Sequence, residues 1–119
     1  MTIYWLSRHQ PLEAQRRELK RLFGDHKLVV DAKPFGSGEE ILSRVRKAGA
    51  AECVVVAPLS VIGRLVDLGL RPLWAEMRQV SQFTDPARQT RAAGRIYEFV
   101  RFERVVRLEL VKEPVEPRA

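Results

Sequence analysis

A hydroxyl, a guanidinium and an imidazole stand in a row at Ser7-Arg8-His9, directly after the apolar run Ile3-Tyr4-Trp5-Leu6. These three groups can handle a phosphodiester. An arginine fork clamps phosphate oxygens, a hydroxyl donates to them, and an imidazole moves a proton. A second group lies in FGSGEE, where Gly36, Ser37 and Gly38 open a predicted helix. Free backbone N–H groups at such a start bind anions. Lys33 adds charge just before it, and Ser60 stands at the start of a third predicted helix in the same way. Each residue also has a plainer role. Ser37 and Ser60 suit helix N-capping, Arg8 suits pairing with a carboxylate, and His9 suits an exposed loop. What favours phosphate is their convergence at successive strand ends. His26, beside Asp25 in a helix-to-strand turn, reads as a surface residue.

The elements that must position these groups follow from hydrophobic spacing. Residues 2–7 read as a strand. Pro11 suits the first turn of a helix over 11–23, with Leu12, Leu19, Leu22 and Phe23 on one face and Gly24 closing it. KLVVDA at 27–32 is a second strand. Ser37 opens a helix whose apolar face is Ile41, Leu42, Val45 and Ala48. ECVVVA at 52–57 is so continuously apolar that it reads as a central strand buried on both faces. A third helix begins near Pro58 and ends near Gly69. Alternation of Leu73, Ala75 and Met77 predicts a fourth strand with Trp74 on its opposite face. Residues 81–94 are polar and read as a loop with room for a helical turn. Residues 95–112 return to strand character, and Glu103-Arg104 marks either a bend between two short strands or a bulge in one long strand.

This β-α-β-α-β-α-β order predicts an α/β fold. It would be a small Rossmann-like, mostly parallel sheet with helices on both faces and a C-terminal β appendage. Residues 1–112 would form a single domain and 113–119 a frayed tail. In such sheets ligands bind outside the carboxyl ends of the strands. Ser7-Arg8-His9, Lys33 with Gly36-Ser37-Gly38, and Pro58 to Ser60 would then share one edge.

Composition narrows the chemistry. At 119 residues, 45% hydrophobic and 30% charged, the chain has the length and balance of one soluble domain with a core that needs no disulfide. The lone Cys53 sits in an apolar run and reads as a buried thiol in a reducing compartment. One Cys and two His make no credible metal set. No apolar run approaches the ~20 residues that span a bilayer, and the N-terminus lacks a signal-peptide pattern. A cytoplasmic protein without membrane partner is expected. Neither GxGxxG nor GxxxxGK[ST] occurs, so no nicotinamide, flavin or other cofactor and no NTPase activity is expected. The net charge of +6 is carried mainly by arginine, which fits either a solvated surface laced with Arg–Glu pairs or a polyanionic ligand. No catalytic triad, carboxylate pair or acidic cluster is evident. Metal-free RNA transesterification suits this thin inventory, because the 2′-OH of the substrate is the nucleophile.

The stretch YWLSRHQPLEAQ, a first strand running into Ser-Arg-His and then a Pro-containing helix, resembles the small CRISPR-associated ring nuclease families. The resemblance spans roughly the first 75 residues through the Rossmann-like order. It implies a homodimer that binds a cyclic oligoadenylate across its two-fold axis. It also implies metal-independent cleavage of that ring, leaving 2′,3′-cyclic phosphate ends. The residues it carries over are Ser7, Arg8 and His9, while Lys33, Gly36, Ser37, Gly38 and Ser60 come from the strand-end reasoning alone. Gln10, between His9 and Pro11, departs from the commoner spacing.

A reading of another class rests on residues 78–95, which carry Arg78, Arg88, Arg91 and Arg95 against a single acid, Asp85. A flexible arginine-rich loop can track a nucleic-acid backbone, with Phe83, Tyr97, Phe99 and Phe102 near enough to stack on bases. Those aromatics serve equally as core residues of the terminal strands. A third option, compatible with either, is a dimer in which residues 96–111 pair across subunits.

Overall fold

The computed structural model describes residues 1–118. Nine elements follow in chain order: β1 (Thr2–Leu6), α1 (Glu13–Phe23), β2 (Lys27–Asp31), α2 (Gly38–Lys47), β3 (Glu52–Val55), α3 (Leu59–Asp67), β4 (Leu73–Val80), β5 (Gln89–Ala92) and β6 (Arg95–Arg104). All six strands join one sheet in the order β2-β1-β3-β4-β6-β5.

The expected fold class needs correction. A mostly parallel Rossmann-like sheet with a β appendage is not what forms. The sheet is mixed, and only the four strands β2-β1-β3-β4 are parallel. β6 runs antiparallel to β4 from Leu73↔Arg104 to Val80↔Ile96, and β5 runs antiparallel to β6. The C-terminal strands are therefore integral to the sheet. The β3–β4 pairing is narrow, since the two strands meet in register only at Val54↔Leu73. β4 thus runs on past the end of β3 and needs β6 as its partner.

Strand alternation divides the core in two. Ile3 and Trp5 of β1 face α1, packing with Leu19, Val54 and Leu73 and flanked by Phe102. Tyr4 and Leu6 face the other way, where Ile41 and Val45 of α2 and Ile62 and Leu65 of α3 cover them. β1 and β3 both lie inside the sheet, which is why both read as apolar runs. Complete burial of Leu19 removes enough apolar surface to contribute ~1.5–3 kcal/mol.

Local chemistry fixes the helix ends. α1 starts two residues after Pro11 without a hydroxyl or carboxylate cap. The side chain of Gln15 reaches back and accepts the Leu12 N–H at 2.8 Å, and the Ala14 N–H donates to the Ala87 carbonyl at 2.9 Å. Two orphan donors of the first turn are satisfied in this way. Gly24, at φ +77°, ends the helix in a conformation that L side chains rarely adopt. α2 is capped as expected, with Ser37 Oγ accepting the Glu40 N–H at 3.2 Å.

Three further expectations give way. Within the expected loop 81–94, residues 89–92 form β5, joined to β6 by the two-residue turn Ala93-Gly94. The expected strand 95–112 stops at Arg104. Arg104 pairs with Leu73, the first residue of β4, and the next rung would fall on Pro72. The Val105 N–H donates to the Pro72 carbonyl at 2.9 Å, but proline has no N–H to return. The irregularity in β6 lies at Val100, which has no partner between Arg101↔Glu76 and Phe99↔Met77, and not at Glu103-Arg104. Residues 105–118 carry no regular secondary structure, and Ala119 of the expected tail lies outside the described residues.

Candidate functional site

The carboxyl ends of β1, β2 and β3 surround a cleft of ≈ 450 Å³. Its lining is polar and cationic at Ser7, Arg8 and His9 after β1 and at Asp31 and Lys33 at the end of β2, and apolar at Phe35 on the same loop and at Val56, Ala57 and Pro58 after β3. Val56 is 54% exposed there, although it directly follows the buried strand β3. The cleft is placed where a parallel sheet offers strand-end groups to a ligand.

The Ser7-Arg8-His9 turn is held by its backbone. Ser7 is buried, and its Oγ accepts the His9 N–H at 3.1 Å. The indole N–H of Trp5 donates to the His9 carbonyl at 3.0 Å. The Ser7 N–H continues the β1–β2 pairing by donating to the Asp31 carbonyl at 3.2 Å. The Ser7 hydroxyl is thus engaged in the turn. Arg8 and His9 are exposed, and neither side chain has a hydrogen-bond or ion-pair partner among the described residues.

Beneath the cleft lies a carboxylate that sequence reasoning missed. Asp31 closes β2 and is 7% exposed. Its Oδ1 accepts the Lys33 N–H at 2.9 Å, and its Oδ2 accepts from the Tyr4 hydroxyl and from Arg44 Nη1 at 3.3 Å. Burial would raise the Asp31 pKa. The Tyr4 hydroxyl, the Lys33 N–H and the charges of Arg44 and Lys33 outweigh it and hold the carboxyl below its usual range. Burial, and then the hydrogen bond to Asp31, push the Tyr4 phenol up to about 12. The sequence signal was slight: an acid ending an apolar strand, and an Arg44 spaced four residues after Glu40.

The remaining expected site residues separate from the cleft. The Gly36 N–H donates to the Glu40 carboxylate, so an internal anion already takes this loop donor; that contact, then Arg44, hold Glu40 below the usual carboxylate range. Ser37 caps α2. Gly38 is buried against α3, where a Cβ would meet Arg64 Cγ at 3.0 Å, so its small size serves helix packing. Ser60 is exposed in the first turn of α3 and does not line the cleft. Lys33 alone of that group does.

The arginine-rich stretch 78–95 spans the end of β4, its connection and β5. Arg78 pairs with Glu98 at 2.6 Å, the Arg91 guanidinium lies 4.2 Å from the centre of the Phe83 ring, and Arg88 lies over Phe99. Phe99 is buried, and Phe102 packs edge-on against Trp5. Among the described residues no three His, Cys, Asp or Glu side chains gather as a metal-ligand group. Among the described residues no helix is long and apolar enough to cross a membrane. No protein-family model, no curated protein and no solved structure matches the chain.

Proposed function

We propose that the cleft binds a small phosphodiester ligand, a cyclic oligoadenylate, and cleaves it without metal. The observation that carries this reading is the meeting of Arg8, His9 and Lys33 with apolar groups of Phe35, Val56, Ala57 and Pro58 around one strand-end cleft. A nucleotide has this same division into an anionic phosphate and a flat, largely apolar base. Arg8 and Lys33 neutralise the phosphate, and His9 transfers the proton. The ribose 2′-oxygen forms a bond to phosphorus as the phosphorus–O5′ bond breaks. The 2′-OH proton passes to the imidazole and on to the departing 5′-oxygen, leaving a 2′,3′-cyclic phosphate. General acid–base transfer of this kind contributes ~10²–10⁴ in rate.

The reading includes a homodimer around the ring, a place in CRISPR-linked antiviral signalling, and a cytoplasmic location consistent with a free buried Cys53. The test is incubation with EDTA against cyclic oligoadenylates and a linear RNA, with products resolved by mass and the molar mass of the protein measured alongside. Linear products with 2′,3′-cyclic phosphate ends, lost in His9→Ala and Arg8→Ala, support it. No binding of any ring, with strongly salt-dependent binding of long RNA instead, moves the function to the arginines of 78–95 as a nucleic-acid-binding module.

A further inference from the structure

We propose that Arg44 is a positioning residue: with Asp31 it forms a latch that fixes the Lys33–Phe35 loop against the Ser7-Arg8-His9 turn. Regular structure stops at Asp31 and resumes at Gly38, and Lys33 and Phe35 lie in the gap. One guanidinium spans that gap. Arg44 Nη1 donates to the Lys33 carbonyl at 3.1 Å and to Asp31 Oδ2 at 3.3 Å. Its Nη2 donates to the Pro34 carbonyl and to Glu40 Oε1 at 3.1 Å. Asp31 completes the latch on both sides. Its carboxylate takes the Lys33 N–H, and its backbone carbonyl takes the Ser7 N–H. The cationic groups that follow β1 and β2 therefore hang on one buried residue, which Arg44 holds.

Only a planar fork serves here. A lysine ammonium supplies charge to Asp31 but is a single point with no fixed geometry, and it cannot bridge two successive carbonyls and two carboxylates. Charge and fork are thereby separable by experiment.

The consequence for ligand affinity rests on the ring-binding reading of the cleft; the consequence for the loop does not. The test compares wild type, Arg44→Lys, Lys33→Ala and the double variant as full chains. Amide hydrogen exchange on the free protein is expected to quicken ~10-fold or more at Lys33 and Gly36, whose N–H groups donate to the Asp31 and Glu40 carboxylates that Arg44 holds, in Arg44→Lys, with the β1 and β3 amides unchanged. Cyclic oligoadenylate affinity is expected to fall about as far in Arg44→Lys as in Lys33→Ala, and no further in the double variant, because both act through one group. Asp31→Asn, which keeps the volume and loses the charge, is expected to loosen the same amides if Arg44→Lys does not fold. Unchanged exchange at Lys33 overturns the latch. So does a loosened loop with full affinity where Lys33→Ala has lost it. Wild-type protein that binds no ring overturns the ligand reading instead, and exchange alone then decides the latch.

Discussion

Ser7 Oγ accepts the backbone N–H of His9 at 3.1 Å, two residues along the same turn. A side chain that looks like a phosphate ligand in the sequence is thus part of what aims its neighbour. Removing this acceptor leaves a part-buried N–H without its partner, which costs ~1 kcal/mol. Ser7→Ala is expected to lower the thermal midpoint by a few degrees and, under the proposed ring-cleaving function, to reduce cleavage without abolishing it. Thermal melts and cleavage assays on the same preparation check this. Complete loss of cleavage at an unchanged midpoint would instead make Ser7 a direct ligand of the substrate.

The Tyr4–Asp31 contact makes stability depend on pH at both ends. Asp31 titrates below its usual range when folded, so its contribution is present above the ordinary aspartate pKa of about 4 and is lost as pH falls through the folded value. Tyr4 is raised to about 12, so its contribution is present below the ordinary tyrosine pKa of about 10 and is lost as pH rises through the folded value. Tyr4→Phe deletes a hydrogen bond to a charged group and is expected to cost ~1–3 kcal/mol at neutral pH. It is also expected to move acid unfolding to higher pH and to flatten the alkaline loss. Urea titrations along both limbs measure all three.

The parts of the fold that were legible are those where burial writes the pattern. β1 and β3, buried on both faces, were plain as apolar runs, and α2 announced itself through Ser37 and its apolar face. β5 was hidden because QTRA has no apolar alternation; its place is set by pairing to β6, which a local reading does not contain. The overrun of β6 had the same origin. Val106, Leu108 and Leu110 prolong the alternation, while Pro72, on another segment, ends the ladder. In the site, Ser7, Arg8, His9 and Lys33 were found because each lies just beyond a strand. Asp31, Tyr4 and Arg44 come from three elements, and only the fold brings them together.

The β5–β6 turn offers a stability test. Ala93 and Gly94 both have positive φ, at 52° and 73°, as a primed two-residue hairpin requires. Alanine has a Cβ clash there that asparagine, with the same Cβ, offsets by local hydrogen bonding of its side-chain amide. Ala93→Asn is expected to stabilise by ~0.5–1 kcal/mol, and Gly94→Ala to destabilise by ~1 kcal/mol. Urea midpoints at constant m-value decide both. A neutral Gly94→Ala would mean that the turn rearranges without cost.

Cys53 connects stability to ligand binding. It lies in β3, paired with Tyr4 of β1, at 2% exposure; burial first, and then Glu52, push its thiol up to about 12. The thiolate is the reactive form, so the folded chain is expected to resist alkylation at neutral pH. Labelling then proceeds through opening of the sheet centre. With an ordinary domain stability, iodoacetamide should react ~10³-fold or more slowly than in urea. Any ring bound only by the folded state slows it again, by ~100-fold at a concentration ~100 times its Kd. Labelling rates across a ring panel therefore rank binding without requiring cleavage. Slower labelling that persists in His9→Ala but vanishes in Arg8→Ala would separate proton transfer from phosphate binding within one cleft. Identical rates with and without every ring would remove the ligand from the cleft altogether.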